Sequence, residues 1–333
     1  MMSRTHDNDC IESGSDVSDN DTIDVTSVMD SNKSFASSVG DYLFENGRRY
    51  HAYRPGEYAL PNDEREQDRL TLVHVLFKEL VNGALYRAPI VPTEMHRILD
   101  FGTGTGIWAA EMADNFPHMT IIGTDLSPIQ MTTWCPPNCL FHIDDIESVW
   151  AYGPEEAFDY IHGRAMAGSV RDWESLLNEI QAHLNPGGWA ELQEFEIRVR
   201  CDDGTLEHAM IIKDWLQKVN EASMRFGKQM NVVETLKQKM LDANFINVTD
   251  ELIKCPIGSW PEDARLKQLG RLHLMSVMEA VEPYTLALFT RILGYSCEEA
   301  KAYMAQVRKE FLNPSHHLYV TFHFVCGQKP MDS

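Results

Sequence analysis

The residues best suited to chemistry lie in one run, Asp100-Phe101-Gly102-Thr103-Gly104-Thr105-Gly106. A short apolar strand, Ile98 and Leu99, leads into the acid, and a helical pattern over 107–116 follows until Pro117 stops it. Strand, glycine-rich turn and helix form the nucleotide-binding corner of a doubly wound α/β sheet. Dinucleotide folds space these glycines as G-x-G-x-x-G and seat a pyrophosphate on the helix N-terminus. Here the third glycine comes one position earlier, and Asp100 stands two residues before the first. A carboxylate repels a diphosphate and attracts an ammonium. The ligand this implies is an adenine nucleoside carrying a cationic amino acid and no phosphate, a description that S-adenosylmethionine fits and a nicotinamide dinucleotide does not. The blander reading, a plain tight βα turn, is opposed by the strand before it and the helix after it.

Further carboxylates fall at the ends of later strands. A second strand over 119–123 ends in Thr124-Asp125, about 20 positions past the glycines, where an acid can accept both ribose hydroxyls. A helix N-cap is the alternative for Asp125, since Ser127-Pro128 follows. A third strand over 140–143 ends in Asp144-Asp145-Ile146; a carboxylate there can take an adenine amino group, and the next backbone N–H a ring nitrogen. The fourth strand, 158–162, ends in His162, and the fifth, 189–197, carries Glu191, Glu194 and Glu196. His162, Glu194 and Glu196 are candidate bases, needed only if a methyl acceptor is a hydroxyl or a protonated amine. His162 reads equally as a hydrogen-bonded wall residue, and no single base is assigned.

These residues must be held by the elements around them. Before the first strand, Asn62 or Asp63 caps a helix whose apolar positions Leu70, Val73, Leu76, Phe77 and Leu80 face the domain, and Asn82-Gly83 ends it. Ahead of that helix, Tyr50, Tyr53 and Tyr58 either fold over the ligand as a lid or pack as half-buried side chains. A helix over 173–184 is closed by Asn185-Pro186-Gly187-Gly188. Residues 208–226 and 232–243 read as helices and 245–255 as a sixth strand. A long helix over 265–293 is expected to break at Pro283, where the missing N–H interrupts the ladder. Ser296, with Glu299 at the capping-box position, starts another helix through 311. A last strand, 316–326, is expected antiparallel between the fifth and sixth. Met275, Met278, Leu286, Leu288 and Phe289 are offered as pocket lining or as plain core. His316, His317 and His323, with no acidic or cysteine partner visible nearby in sequence, are not read as a metal site.

The chain as a whole excludes some classes. A net charge of −21 opposes direct nucleic-acid binding. No apolar run approaches the ~20 residues that span a bilayer, and the polar start is no signal peptide. Seven scattered cysteines read as reduced thiols of the cytosol or nucleus. Residues 1–40, rich in Asp and Ser and poor in apolar side chains, are expected to be disordered, either as a solvating tail or as a docking segment.

Taken together, Asp100 to Gly106, Asp125, Asp145-Ile146, Phe158-Asp159 and Asn185-Pro186-Gly187-Gly188 resemble the class I S-adenosylmethionine-dependent methyltransferases. Tyr53-Arg54-Pro55-Gly56-Glu57-Tyr58, Asn62-Asp63-Glu64-Arg65-Glu66, Gly123-Thr124-Asp125-Leu126-Ser127-Pro128-Ile129-Gln130 and Asp202-Asp203-Gly204-Thr205 are similar to the LaeA-like methyltransferases of filamentous fungi, over about residues 45–327. One departure is the stretch 131–137, slightly longer than the usual loop. The resemblance implies a Rossmann-like α/β fold: a seven-stranded, mostly parallel sheet with helices on both faces, an N-terminal helical lid and a C-terminal helical insertion. It implies one methyltransferase domain over 41–333, with a cofactor-binding core at about 95–200 and a substrate-covering helical region at about 205–315. It assigns the cofactor to Asp100, Gly102, Thr103, Gly104, Gly106, Asp125, Leu126, Asp145, Ile146 and Tyr53. The methyl acceptor, protein or small molecule, stays open. So does the choice between a regulator of secondary metabolism or development with protein partners, a tailoring enzyme, and a non-catalytic scaffold.

Overall fold

A computed structural model describes residues 42–51, 53, 56, 58–130 and 135–331. The chain divides into two units, Met1–Ser38 and Val39–Ser333, and the first lies outside the described residues, as does the expected acidic tail. The second unit is built on seven strands: β3 (Arg97–Phe101), β4 (Thr120–Asp125), β5 (Cys139–Ile143), β6 (Phe158–Arg164), β7 (Leu184–Phe195), β8 (Ile246–Pro256) and β9 (Tyr319–Gln328). Their order across the sheet is β5-β4-β3-β6-β7-β9-β8, with β9 antiparallel to both of its neighbours. This is the expected topology, and the order reverses beside β3, the switch point at which such sheets bind ligands.

Alternation along the strands sorts side chains between the two faces. Leu99, Phe101 and Ile161 point to one face, covered by α3 (Trp173–His183) and α5 (Val233–Asp242) through Leu176, Leu177, Ile180, Leu236 and Met240. Ile98, Ile121 and Tyr160 point to the other, where α2 (Ile107–Asn115) contributes Trp108, Ala109 and Met112. A third cluster joins α1 (Glu64–Leu80), α4 (Met210–Phe226), α6 (Ala264–Leu288) and α7 (Cys297–Phe311) to Phe322 and Phe324 of β9. Asp63 caps α1 by accepting from the Glu66 N–H at 3.1 Å, and Ser296 with Glu299 forms the expected capping box on α7.

One element is added to those expected, and two expectations are corrected. Residues 43–50 form a hairpin, β1 (Leu43–Glu45) and β2 (Arg48–Tyr50), turning at Asn46-Gly47, the pair suited to a tight hairpin turn. β7 begins at Leu184 rather than 189, because Leu184 pairs with Phe158 across an irregularity in the register. The helix α6 runs through Pro283 without a break and ends in a π turn, Phe289–Leu293. Proline costs a helix interior about 3 kcal/mol. Burial of Pro283, Tyr284, Thr285, Leu286 and Leu288 offsets it, and Trp215 Nε1 donates to Thr285 Oγ1 at 2.8 Å.

Candidate active site

The glycine loop leaves β3 with Gly102, Gly104 and Gly106 all at positive φ, +61°, +58° and +78°. A Cβ at Gly106 would also sit 2.4 Å from Phe141 Cζ, so there both conformation and space favour glycine, while at Gly102 and Gly104 the backbone conformation does. The loop is tied to β4: Thr103 N–H donates to the Thr124 carbonyl at 2.9 Å, and Gly104 N–H to Asp125 Oδ2 at 2.8 Å. Asp125 Oδ1 accepts from the Ser127 N–H at 2.9 Å, and Gln130 Nε2 donates to the Gly104 carbonyl at 2.8 Å. Burial raises the Asp125 carboxyl to about 6.

Above this loop opens a cleft in which polar and apolar side chains converge, as they do in small-molecule sites. Gly102, Gly104, Asp125, Leu126, Asp145 and Ile146 line it, so six of the ten residues expected at the cofactor come together in one wall. Its roof is α1, through Glu66, Arg69, Leu70 and Val73, with Tyr58 before it and Tyr284 of α6 opposite. Asp145 Oδ1 accepts from the Glu147 N–H at 3.0 Å, which folds the turn after β5 into the wall.

Four of the ten lie elsewhere. Asp100 is buried beneath the loop, where its carboxylate accepts from Thr103 Oγ1 at 2.5 Å and pairs with His162 Nδ1 at 2.7 Å. Alternation puts residues 98 and 100 on the same side of the sheet, toward α2, so the acid holds the loop from below. Thr103 is turned down to it, and Gly106 sits against Phe141. Tyr53 is half-buried outside the lining, and its carbonyl lies 2.5 Å from His51 Nδ1; among the tyrosines of that segment it is Tyr58 that reaches the cleft.

None of the three candidate bases borders the cleft. His162 is fully buried, stacked on Trp108 at 3.8 Å between ring centroids, and serves Asp100. Glu194 is fully buried too, and accepts from the Met166 and Ala167 N–H groups at 2.6 and 3.3 Å. It thereby fixes the exit of β6, where Ala165 takes a positive φ of 55°. Burial raises the Glu194 carboxyl to about 8. Glu196 pairs with Arg200 at 2.8 Å. Of the residues offered from α6 and the turn after it, Met275 is exposed, Met278 is half-buried against the core, and Leu286, Leu288 and Phe289 are core; Tyr284, not among them, reaches the cleft. The histidines near β9 do meet acids, brought from other elements: His323 Nδ1 lies 3.0 Å from Asp250 on β8, and His317 Nδ1 2.5 Å from Asp203. Among the described residues no group of three or more His, Cys, Asp or Glu side chains is placed to hold a metal ion.

Sequence reading missed Glu66, Arg69, Arg164 and Tyr284. Arg164 had a visible signal, a cation two residues past His162 at the ligand-binding end of a strand. The others come from helices whose approach to the cleft is a tertiary matter.

The cleft suits the ligand inferred from the loop. Two carboxylates at the ends of neighbouring strands, Asp125 and Asp145, match hydroxyl and amino donors, and the glycine backbone admits close approach. A family profile described as a methyltransferase domain matches residues 50–250, which hold the loop, both carboxylates and β6. The chain is 41% identical over 298 residues to methyltransferase pytC of Aspergillus terreus, covering 89% of this chain and 91% of that protein. It is 38% identical over 291 residues to the secondary metabolism regulator laeA of Aspergillus fumigatus, covering 86% and 76%. The protein-methionine methyltransferase laeA of Emericella nidulans is 36% identical over 291 residues, at the same coverages. With that likeness running nearly end to end, and its motifs folded into one cleft at the sheet's switch point, the chain belongs to the LaeA-like family of methyltransferases.

Proposed function

We propose that this chain is an S-adenosylmethionine-dependent methyltransferase acting in the regulation of fungal secondary metabolism or development, on an acceptor still to be identified and with regulatory protein partners. The observation that carries the reading is the cleft, in which the glycine loop and the acids Asp125 and Asp145 line one wall under a helical roof. The cofactor, when bound, supplies an electrophilic methyl carbon on a sulfonium. Asp125 is placed to accept from ribose hydroxyls, Asp145 from an adenine amino group, and the Ile146 backbone borders the same wall. The roof of α1 and Tyr284 excludes water and orients an acceptor, and orientation by itself can supply effective molarities of ~10⁵ M and above. His162 and Glu194 act as positioning residues, through Asp100 and through the exit of β6. The six described cysteines are all free thiols, which supports a site of action in the cytosol or nucleus.

A tailoring role on a small metabolite is the second reading. It is favoured by an apolar pocket that shares Tyr284 with the cleft and is lined by Phe195, Trp215, Val277 and Phe311. Incubating the protein with methyl-labelled cofactor in a fungal extract separates the two. Label on protein is the expected result, and label only in the organic-extractable fraction moves the assignment to the second reading.

A further inference from the structure

Arg164 closes β6 and is part of the lining of the cleft. One protein hydrogen bond holds it, from Nη2 to His74 Nδ1 at 3.0 Å. That bond makes Nδ1 an acceptor, so His74 is a neutral ring carrying its proton on Nε2, 3.2 Å from Glu111 Oε1. Burial, together with the Arg164 charge, pushes the His74 imidazole down to about 4, in keeping with neutrality. Glu111 is itself paired with Lys78 at 2.7 Å, so no negative charge is left over for Arg164 along that path.

The other charged groups near Arg164 are committed as well. Asp100, on the neighbouring strand, serves Thr103 and His162. Glu66 is bound by Arg69 at 2.6 Å, and Glu147 by Lys228 at 2.9 Å. Among the described residues no carboxylate pairs with Arg164, although the other cations of the lining, Arg69 and Lys228, each have one. Burial lowers its pKa to about 10. An enclosed cation without an anion is costly, and a guanidinium fork accepts a carboxylate two N–H groups at a time.

Position narrows the choice of anion. Phe101 pairs with Gly163, which sets Arg164 beside Gly102 at the edge of the sheet. Along that edge run Asp145 after β5, Asp125 at the end of β4, the glycine loop after β3 and Arg164 at the end of β6. Strands lie about 4.8 Å apart, so Arg164 is roughly three strand spacings from Asp145. The order matches adenine, ribose, sulfur and amino acid read along the cofactor.

We propose that Arg164 binds the α-carboxylate of the cofactor's amino-acid moiety, and so distinguishes the intact cofactor from adenine nucleosides that lack that group. The inference rests on the cofactor reading above. It is tested by calorimetry with S-adenosylhomocysteine and its decarboxylated analogue, which keeps the ammonium. The unaltered protein is expected to bind S-adenosylhomocysteine about 10- to 100-fold more tightly than the analogue, the range for hydrogen bonds to charged groups. Arg164→Gln should bring S-adenosylhomocysteine down to the analogue's affinity and leave the analogue's own affinity unchanged, and Arg164→Lys should restore part of the difference. Equal binding of the two ligands by the unaltered protein overturns the proposal, and that comparison stands even if the Gln variant does not fold. Equal weakening of both ligands in Arg164→Gln overturns it too. No binding of either ligand by the unaltered protein removes the cofactor reading itself and this inference with it, a result distinct from the other two.

Discussion

Asp125 shows how one side chain serves both the fold and the site. Its two oxygens hold the Gly104 and Ser127 N–H groups, and the same carboxylate lines the cleft. Asp125→Ala should weaken S-adenosylhomocysteine binding by about 1.5–3 kcal/mol, and unchanged affinity by calorimetry would remove Asp125 from the site. Because burial places its pKa near 6, the ionised form that accepts from hydroxyls is lost as pH falls from 7 to 5, and affinity should fall over that interval. Glu194 gives the complementary stability signal. Its folded pKa of about 8 lies above its ordinary value of 4.5, so the folded state keeps a proton that the unfolded chain has released. The resulting contribution is present below about pH 4.5 and lost as pH rises toward 8. Glu194→Gln, which cannot ionise, should flatten the dependence of melting temperature on pH between 5 and 8, and an unaltered slope would show that another group titrates there.

Among the elements, the roof of the cleft is held by charge as much as by packing. Glu282 on α6 meets Arg48 of β2 at 3.1 Å, Arg65 of α1 at 2.8 Å and Arg308 of α7 at 3.5 Å. Arg48 also holds the α1 cap residue Asp63 at 2.6 Å. One carboxylate thus ties the hairpin, the roof helix and the two C-terminal helices. Pairs this near the surface are partly screened, so Glu282→Ala is expected to cost about 1–3 kcal/mol of stability rather than the larger cost of a fully buried pair. Urea unfolding measures that loss. A faster release of S-adenosylhomocysteine should accompany it, since the roof is what these pairs hold, and an unchanged release rate would separate the ion cluster from the cleft.

At the scale of the whole molecule, residues 1–40 are rich in Asp and Ser and carry few apolar side chains to add to a core. A chain shortened to begin at Asp41 is therefore expected to keep its melting temperature and its cofactor affinity. In cells the same truncation should impair a regulator, because a docking segment would be lost, and should leave a tailoring enzyme's product unchanged. Failure of the shortened chain to fold would assign the first 40 residues a structural role.

The local signals in the sequence were enough for most element types and for the ligand-binding loop, while the arrangement of the sheet was implied by the family resemblance. Period-2 apolar runs, a glycine spacing that only left-handed backbone accommodates, and caps such as Asp63 and Ser296 act within a few residues of one another. The hairpin at Asn46-Gly47 went unread, although its turn signal is local. What the sequence left open was decided by packing between distant segments. The α6 helix survives Pro283 because burial against other helices outweighs a local cost. Asp100, His162 and Glu194 looked like ligand or catalytic groups because each lies near the carboxyl end of its strand. Pleat direction and neighbouring elements turned them beneath the loop or behind the β6 exit. Arg164 could be placed at the edge of the cleft from sequence, but its lack of a carboxylate partner is a property of everything around it: His74, Glu111, Lys78 and Asp100 come from three elements, and only folding shows which partners they already hold.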